Sequence, residues 1–168
     1  KAEGERLIRE VLKAHIILRT SWVFSAGGKN FVTKMVRLAK GRDRLKVVAD
    51  QFGGPASARS IAEAVLTIVS QYQSELSVTW GTYHFCQRPY VSWHQFAKMI
   101  LVQARGLGII DHVVEVAPIQ SSEFPSTVKR PQNSCLDTHK IESVFNLSST
   151  YWSTDMHLLL KHMPSSDW

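Results

Sequence analysis

The sequence lacks most of the patterns that name a chemistry on their own. It has two cysteines in 168 residues, Cys86 and Cys135, with no Cys-x-x-Cys and no paired-ligand spacing. That excludes a disulfide framework and reads as free thiols in a reducing compartment. The seven histidines (15, 84, 94, 112, 139, 157 and 162) form no His-Glu-x-x-His or similar pattern, so spacing gives no metal site. No apolar run reaches the length of a membrane span, and the first residues do not read as a signal peptide. The expected compartment is therefore cytoplasmic, with no membrane partner. There is no Gly-x-Gly-x-x-Gly, no Walker loop and no Gly-x-Ser-x-Gly. The carboxylates, Asp50 and Asp137 among them, show no paired spacing for acid–base work. Internal repeats, low-complexity tracts and a composition break that would mark a second domain are also missing.

What is present is globular. The hydrophobic share is 44%, and 168 residues suffice for one well-cored domain. The net charge of +6 permits an anionic partner without choosing one. Lys34, Arg37, Lys40, Arg42, Arg44 and Lys46 are interleaved with apolar residues, and read as a solvated helix face and its following loop. The chain opens inside an amphipathic helix, with Leu7, Ile8, Val11 and Leu12 on one face, and has no initiator Met. It looks like a piece whose N-terminal part is absent.

Strands and helices then alternate. Strands are expected at 15–20, 44–49, 81–86 and 113–118. Helices are expected at about 30–40, from the loop at 50–58 to about Tyr72, from Ser92 to Gly106, and at about 137–145 and 151–162. Ser60-x-x-Glu63 and Ser92-x-x-Gln95 read as capping boxes, and Asp137 as a helix N-cap. The alternation argues an α/β class with parallel pairing and only about four strands. Three polar loops fixed by glycine or proline (19–31, 50–58 and 120–134) each follow a strand. They carry Arg19, Lys29, Lys129 and Arg130, the amides of Asn30, Gln51 and Asn133, and flat rings at Trp22 and Phe52. Such a set suits an anionic, hydrogen-bonding ligand such as a nucleotide sugar. Read as structure alone, the same residues are loop caps and core aromatics.

Several blocks occur in a fixed order: RTSWVF, a short glycine loop with NF, DQFGGPASA, GTYHF, SW at a helix start, and KRPQNSCLDTHK. Together they resemble the C-terminal half of the dTDP-4-dehydrorhamnose reductases, which are extended short-chain dehydrogenases/reductases. The likeness runs from residue 1 to about 160. It implies the C-terminal part of an extended Rossmann fold (about 1–45 and 80–86) joined to a smaller substrate-binding α/β part, with few strands and flanking helices. Residues 1–168 are then a single fragment, without the N-terminal dinucleotide-binding half. The family carries Tyr-x-x-x-Lys followed by Gly-Glu. Lys1-Ala2-Glu3-Gly4-Glu5 matches from the lysine onward, which makes Lys1 the catalytic lysine, its tyrosine partner lying upstream.

The resemblance further implies Lys1, Thr20 and Ser21 at the cofactor. Trp22, Asn30, Gln51, Phe52 and Arg130 fall at the dTDP-linked deoxysugar, with Asn30 and Arg130 toward the diphosphate. The cofactor of the full-length protein would be NADPH or NADH, and none is expected on this fragment. Phe24, Phe52 and Phe124 stand where tyrosine is common, and Ser57 where threonine is usual. Arg59 stands where some members place a glutamate that bridges a dimer through magnesium. Arginine does not ligate magnesium as carboxylate does, so that dimer is not expected, while a homodimer of another kind stays open. Two other readings are a non-catalytic module resembling the regulatory subunit of methionine adenosyltransferase, and, from charge alone, a nucleic-acid binder, which would need a basic face with exposed aromatics.

Overall fold

The structure is a computed structural model that describes residues 1–26, 28–75, 78–126, 128, 130–148 and 150–163. Gly27 and Lys129, both in loops singled out above, lie outside the described residues. The elements run α1 (Ala2–Val11), β1 (Ile16–Thr20), β2 (Val23–Phe24), α2 (Phe31–Ala39), β3 (Arg44–Val48), β4 (Phe52–Gly53) and β5 (Ala56–Ser57). They continue α3 (Ala58–Glu75), β6 (Gly81–Phe85), β7 (Val91–Ser92), α4 (Trp93–Gly106), β8 (Glu115–Ile119), a 3₁₀ turn (Ser121–Glu123), β9 (Asn133–Ser134), α5 (His139–Phe145) and α6 (Trp152–His162). No helix among the described residues is long and apolar enough to cross a membrane.

The four expected strands are the four five-residue ones, and they form two parallel pairs. β1 pairs with β6, from Ile16 opposite Gly81 to Thr20 opposite Phe85. β3 pairs with β8, from Arg44 opposite Glu115 to Val48 opposite Ile119. The outer edge of β8 is blunted: Pro118 has no N–H to offer, and the Val116 carbonyl lies 2.9 Å from His94 Nε2. The two-residue strands are ties between loops. β2 runs parallel to β5, while β4 lies antiparallel to β7 and parallel to β9.

Two cores follow from this pairing. The larger lies between α2, α4, α6 and β3, where Val32, Val36, Phe96, Ile100, Trp152 and Met156 are buried. The smaller lies between β1–β6, α3 and α5, around Ala64, Ile68, Tyr83, Ile141 and Phe145. α1 belongs to neither. It has no buried residue, and its apolar side chains Leu7, Ile8, Val11 and Leu12 are 42–78% exposed.

Three local expectations change. α3 starts three residues earlier than the Ser60 box requires. Ser57 Oγ accepts the Ser60 N–H at 3.0 Å, and Glu63 turns to Arg59 at 2.9 Å. An oxygen three residues upstream is nearer the free N–H groups of the first turn than Ser60, which is already inside the helix. Asp137 sits one residue before the N-cap Thr138 and accepts the His139 N–H at 3.0 Å instead of capping α5. Gly106 is the last residue of α4, and the left-handed position falls at Gly108, φ 71°. The Ser92/Gln95 box forms as expected, both halves present.

Candidate substrate-binding site

The site grows from the C-terminal end of β1. Trp22 has φ 47°, in the left-handed region that a bulky side chain rarely enters. The turn is held from several sides. The Trp22 carbonyl accepts the Ala56 N–H at 3.3 Å, and Ser21 Oγ donates to the Gly54 carbonyl at 2.7 Å. The indole stacks on Trp93 with ring centres 3.5 Å apart and planes 8° apart, and donates to Ser134 Oγ at 3.0 Å. Strain of this kind persists only where the surroundings over-determine it.

The Phe52-Gly53-Gly54 sequence has a steric reason. A Cβ on Gly53 would stand 2.4 Å from Trp22 Cε2, and one on Gly54 would stand 2.6 Å from Cys86 Sγ. Both glycines let another side chain lie against the backbone. The β4 ties then bring Phe52 beside Ser92 and Asn133, so loops 19–31, 50–58 and 120–134 meet at one place.

They border a cleft of about 1400 Å³ whose wall includes Phe31, Trp93, Lys34, Arg42, Lys46, Gln51, Phe124 and Arg130. Gln51 and Arg130, two of the five expected substrate residues, stand in this wall. Trp22 stands behind Trp93 as its stacking partner. Phe52 is 44% exposed beside the cleft rather than in its wall. Asn30 caps α2: its Oδ1 accepts the Val32 and Thr33 N–H groups at 3.0 and 3.2 Å, and its Nδ2 donates to the Ser25 carbonyl at 2.9 Å. Asn133 Oδ1 accepts the Cys135 N–H at 2.9 Å.

On the other side of Trp22, Thr20 ends β1 half-buried, and among the described residues its hydroxyl has no hydrogen-bond partner. Ser21 already donates to Gly54. Lys1 is exposed at the start of α1. Arg19, grouped above with the anion-binding set, is instead forked onto Glu5, with Nη2 to Oε2 at 2.6 Å and Nε to Oε1 at 3.1 Å. This hydrogen-bonded fork holds the Glu5 carboxyl below its ordinary value.

The cleft also recruits residues that sequence reasoning set aside. Lys34, Arg42 and Lys46 line it, and among the described residues none of them, nor Arg130, has a carboxylate partner. Arg44 is paired with Glu115 at 3.3 Å. Two signals for this were available. Lys34 is one helical turn from Asn30, on the same face. Arg44 and Lys46 alternate with the buried Leu45 and Val47 along β3, on one side of the strand. Trp93 and Phe31, whose rings lie 4.5 Å apart, give the wall two flat faces. Each sits at a helix start beside its cap, a position legible only once both caps are known to face one cleft.

The chemistry available here is binding. Burial pushes the Cys86 and Cys135 thiols up, away from the thiolate a nucleophile needs. Desolvation raises the Tyr83 and Tyr90 phenols, which donate to the Thr79 and Leu136 carbonyls, both at 2.5 Å. Neither is poised as a proton donor. For a dinucleotide, the chain offers the end of β1 with the free Thr20 hydroxyl, and no glycine-rich turn to cradle a pyrophosphate. The residues present fit one edge of such a ligand.

Comparison with known proteins places the chain in a family. Residues 1–165 match the RmlD substrate binding domain. The dTDP-4-dehydrorhamnose reductase of Aggregatibacter actinomycetemcomitans is 44% identical over 152 residues, covering 90% of this chain and 52% of that protein. The crystal structure of a dTDP-4-dehydrorhamnose reductase from Clostridium acetobutylicum superposes with a TM-score of 0.81 at 33% identity, over 95% of this chain and 52% of that one. The Bacillus anthracis reductase, solved in complex with NADP, gives 0.78 at 28% identity, over 98% of this chain and 54% of that one. The chain thus spans about half the length of the relatives it matches.

Proposed function

The chain belongs to the RmlD substrate-binding-domain family, and from that membership we propose that it is the substrate-binding half of a reductase of dTDP-linked 4-keto-6-deoxyhexose, forming dTDP-L-rhamnose. The observation that carries this reading is the cleft. Four cations without carboxylate partners, Lys34, Arg42, Lys46 and Arg130, face it beside the rings of Trp93 and Phe31. A diphosphate between two ring systems answers both features. The cations lie in a concavity rather than along an open face, which favours a small anion over a nucleic acid.

In the reaction, a nicotinamide cofactor supplies the hydride that goes to C4 of the sugar. The residues of this chain have other tasks. Arg130 and Lys34 hold the diphosphate, Gln51 and the aromatic wall hold the nucleoside, and Trp22, fixed by Trp93 and Ser134, sets the position of the wall against the sugar. Asn30 sets the start of α2 against the phosphates through the cap it forms. Thr20 and Ser21 border the cofactor at the end of β1. Lys1 stabilises the phenolate of a tyrosine one helical turn upstream as that phenol gives its proton to the new C4 alkoxide.

By this reading the chain alone neither binds NADPH tightly nor turns over. Its partner is the N-terminal half of the same protein, and the exposed apolar face of α1 is where that half would pack. The test is the protein made from the full reading frame. It should carry a tyrosine four residues before Lys1 and a glycine-rich strand–turn–helix, and should oxidise NADPH when given the dTDP-4-keto-6-deoxy sugar. A frame without the tyrosine, or no oxidation, would contradict the reading and favour a non-catalytic regulatory module.

A further inference from the structure

α1 carries three glutamates, and each is claimed by an arginine. Arg6 bridges Glu3, at 2.5 Å, and Glu10. Glu5 is gripped by Arg19, with Arg9 further off at 3.5 Å. Lys1 is thereby left without a carboxylate partner among the described residues, although Glu5 lies one turn away on its own face of the helix. The Glu5 N–H donates to the Lys1 carbonyl at 3.1 Å, so the two residues bracket that turn. Lysine and glutamate at this spacing attract each other when nothing intervenes. What intervenes is Arg19, from a strand fourteen residues on, whose planar fork engages both Glu5 oxygens as a lysine cannot. Glu5 is the least exposed acid of α1, its side chain 19% exposed, so this is also the best-shielded pair of the helix.

We infer that Arg19 is a positioning residue that sequesters the Glu5 carboxylate and so keeps the Lys1 ammonium unpaired. This rests on the reading of Lys1 as the lysine of the proton-donor pair. A lysine captured by Glu5 would offer less of its charge to a neighbouring phenol, and the phenol's pKa would rise. Arg19 would also couple the helix that carries Lys1 to the end of the strand that carries Thr20 and Ser21.

Two measurements test it, and they fail separately. In the protein from the full reading frame, the Lys1 Cε resonance is followed by NMR through a pH titration. In Arg19→Met it should respond to ionisation of the Glu5 carboxyl. In wild type and in Glu5→Gln/Arg19→Met it should not. A Lys1 signal indifferent to Glu5 in Arg19→Met overturns the inference, whatever the enzyme does.

In the protein from the full reading frame, Arg19→Met should lower kcat about two- to fivefold, the scale of a lysine partly captured in an exposed i, i+4 pair. KM should hold, and the alkaline limb of the pH–rate profile, where the phenol loses its proton, should move to higher pH. Glu5→Gln should stay near wild type, and the double variant should recover to the Glu5→Gln level. Were Arg19 only a structural anchor for α1, Glu5→Gln would lose as much as Arg19→Met, and the double variant would not recover; that result contradicts the inference. A wild-type protein without reductase activity contradicts the reading of Lys1 instead, and the NMR comparison then decides the pairing alone.

Discussion

The two halves of this molecule are built to different degrees of completion. The α2–α4–α6 region with β3–β8 has a continuous core, closes a cleft and satisfies its own edge through Pro118 and His94. The β1–β6 region has a two-stranded parallel sheet, a small core, and a helix α1 that buries nothing. Parallel sheets are ordinarily larger and covered on both faces. The contrast shows where the chain is self-sufficient. The α2–α4–α6 side holds its geometry with what it has, whereas the β1–β6 side leaves the apolar side chains of α1 exposed.

The largest expected effect exposes that contrast directly. Phe96 is buried against Phe24, Phe31 and Trp152, so Phe96→Ala should cost ~3–5 kcal/mol of stability. Ile8→Ser, an equally drastic change of polarity on α1, should stay within about 0.5 kcal/mol. Denaturant unfolding of the two variants reads both values. Equal losses would mean that α1 is packed after all, and would remove the distinction.

Next in size is Gly53→Ala. Its Cβ must displace the Trp22 indole from Trp93 or move β4, at about 1–3 kcal/mol. Because that seat supports the cleft wall, ligand affinity should fall along with stability, where Gly41→Ala, with open space around it, should leave affinity unchanged.

The smallest effect is in pH. The folded-state value of Glu5 is depressed by Arg19, so the stability this pair lends to the β1–β6 side is present above about 4.5 and is lost as pH falls through the folded value. His112, at the edge of β8, is raised by its hydrogen bond to Asp111. Its contribution to the β3–β8 side is full below about 6.5 and is lost as pH rises through the folded value. Amide exchange should therefore quicken in α1 toward acid and around residues 111–115 toward neutral pH. The same direction in both places would contradict the assigned partners.

The sequence was legible where one residue type has one physical use. Short apolar and β-branched runs located all four longer strands, and Ser92 and Gln95 marked a helix start that forms as written. It was less legible where meaning depends on distant partners. Two-residue strands such as Phe52–Gly53 carry no periodicity, so the tie between three loops could not be read. The Ser60 box failed because the helix already starts at Ala58, where Ser57 Oγ takes the Ser60 N–H and leaves Ser60 inside the first turn. Lys34, Arg42 and Lys46 looked like solvated charge because α2, β3 and the 120–134 loop become one wall only after β3 pairs with β8. Arg19 looked like an anion ligand because Glu5, its partner, lies fourteen residues earlier on a different element.

The most direct test of the division between the two halves is calorimetry on this 168-residue chain with dTDP and with NADPH in parallel. The account predicts saturable dTDP binding that weakens with salt and is largely lost in Lys34→Ala/Arg130→Ala, with no tight NADPH binding under the same conditions. Micromolar binding of NADPH, or dTDP binding unchanged in the double variant, would contradict it.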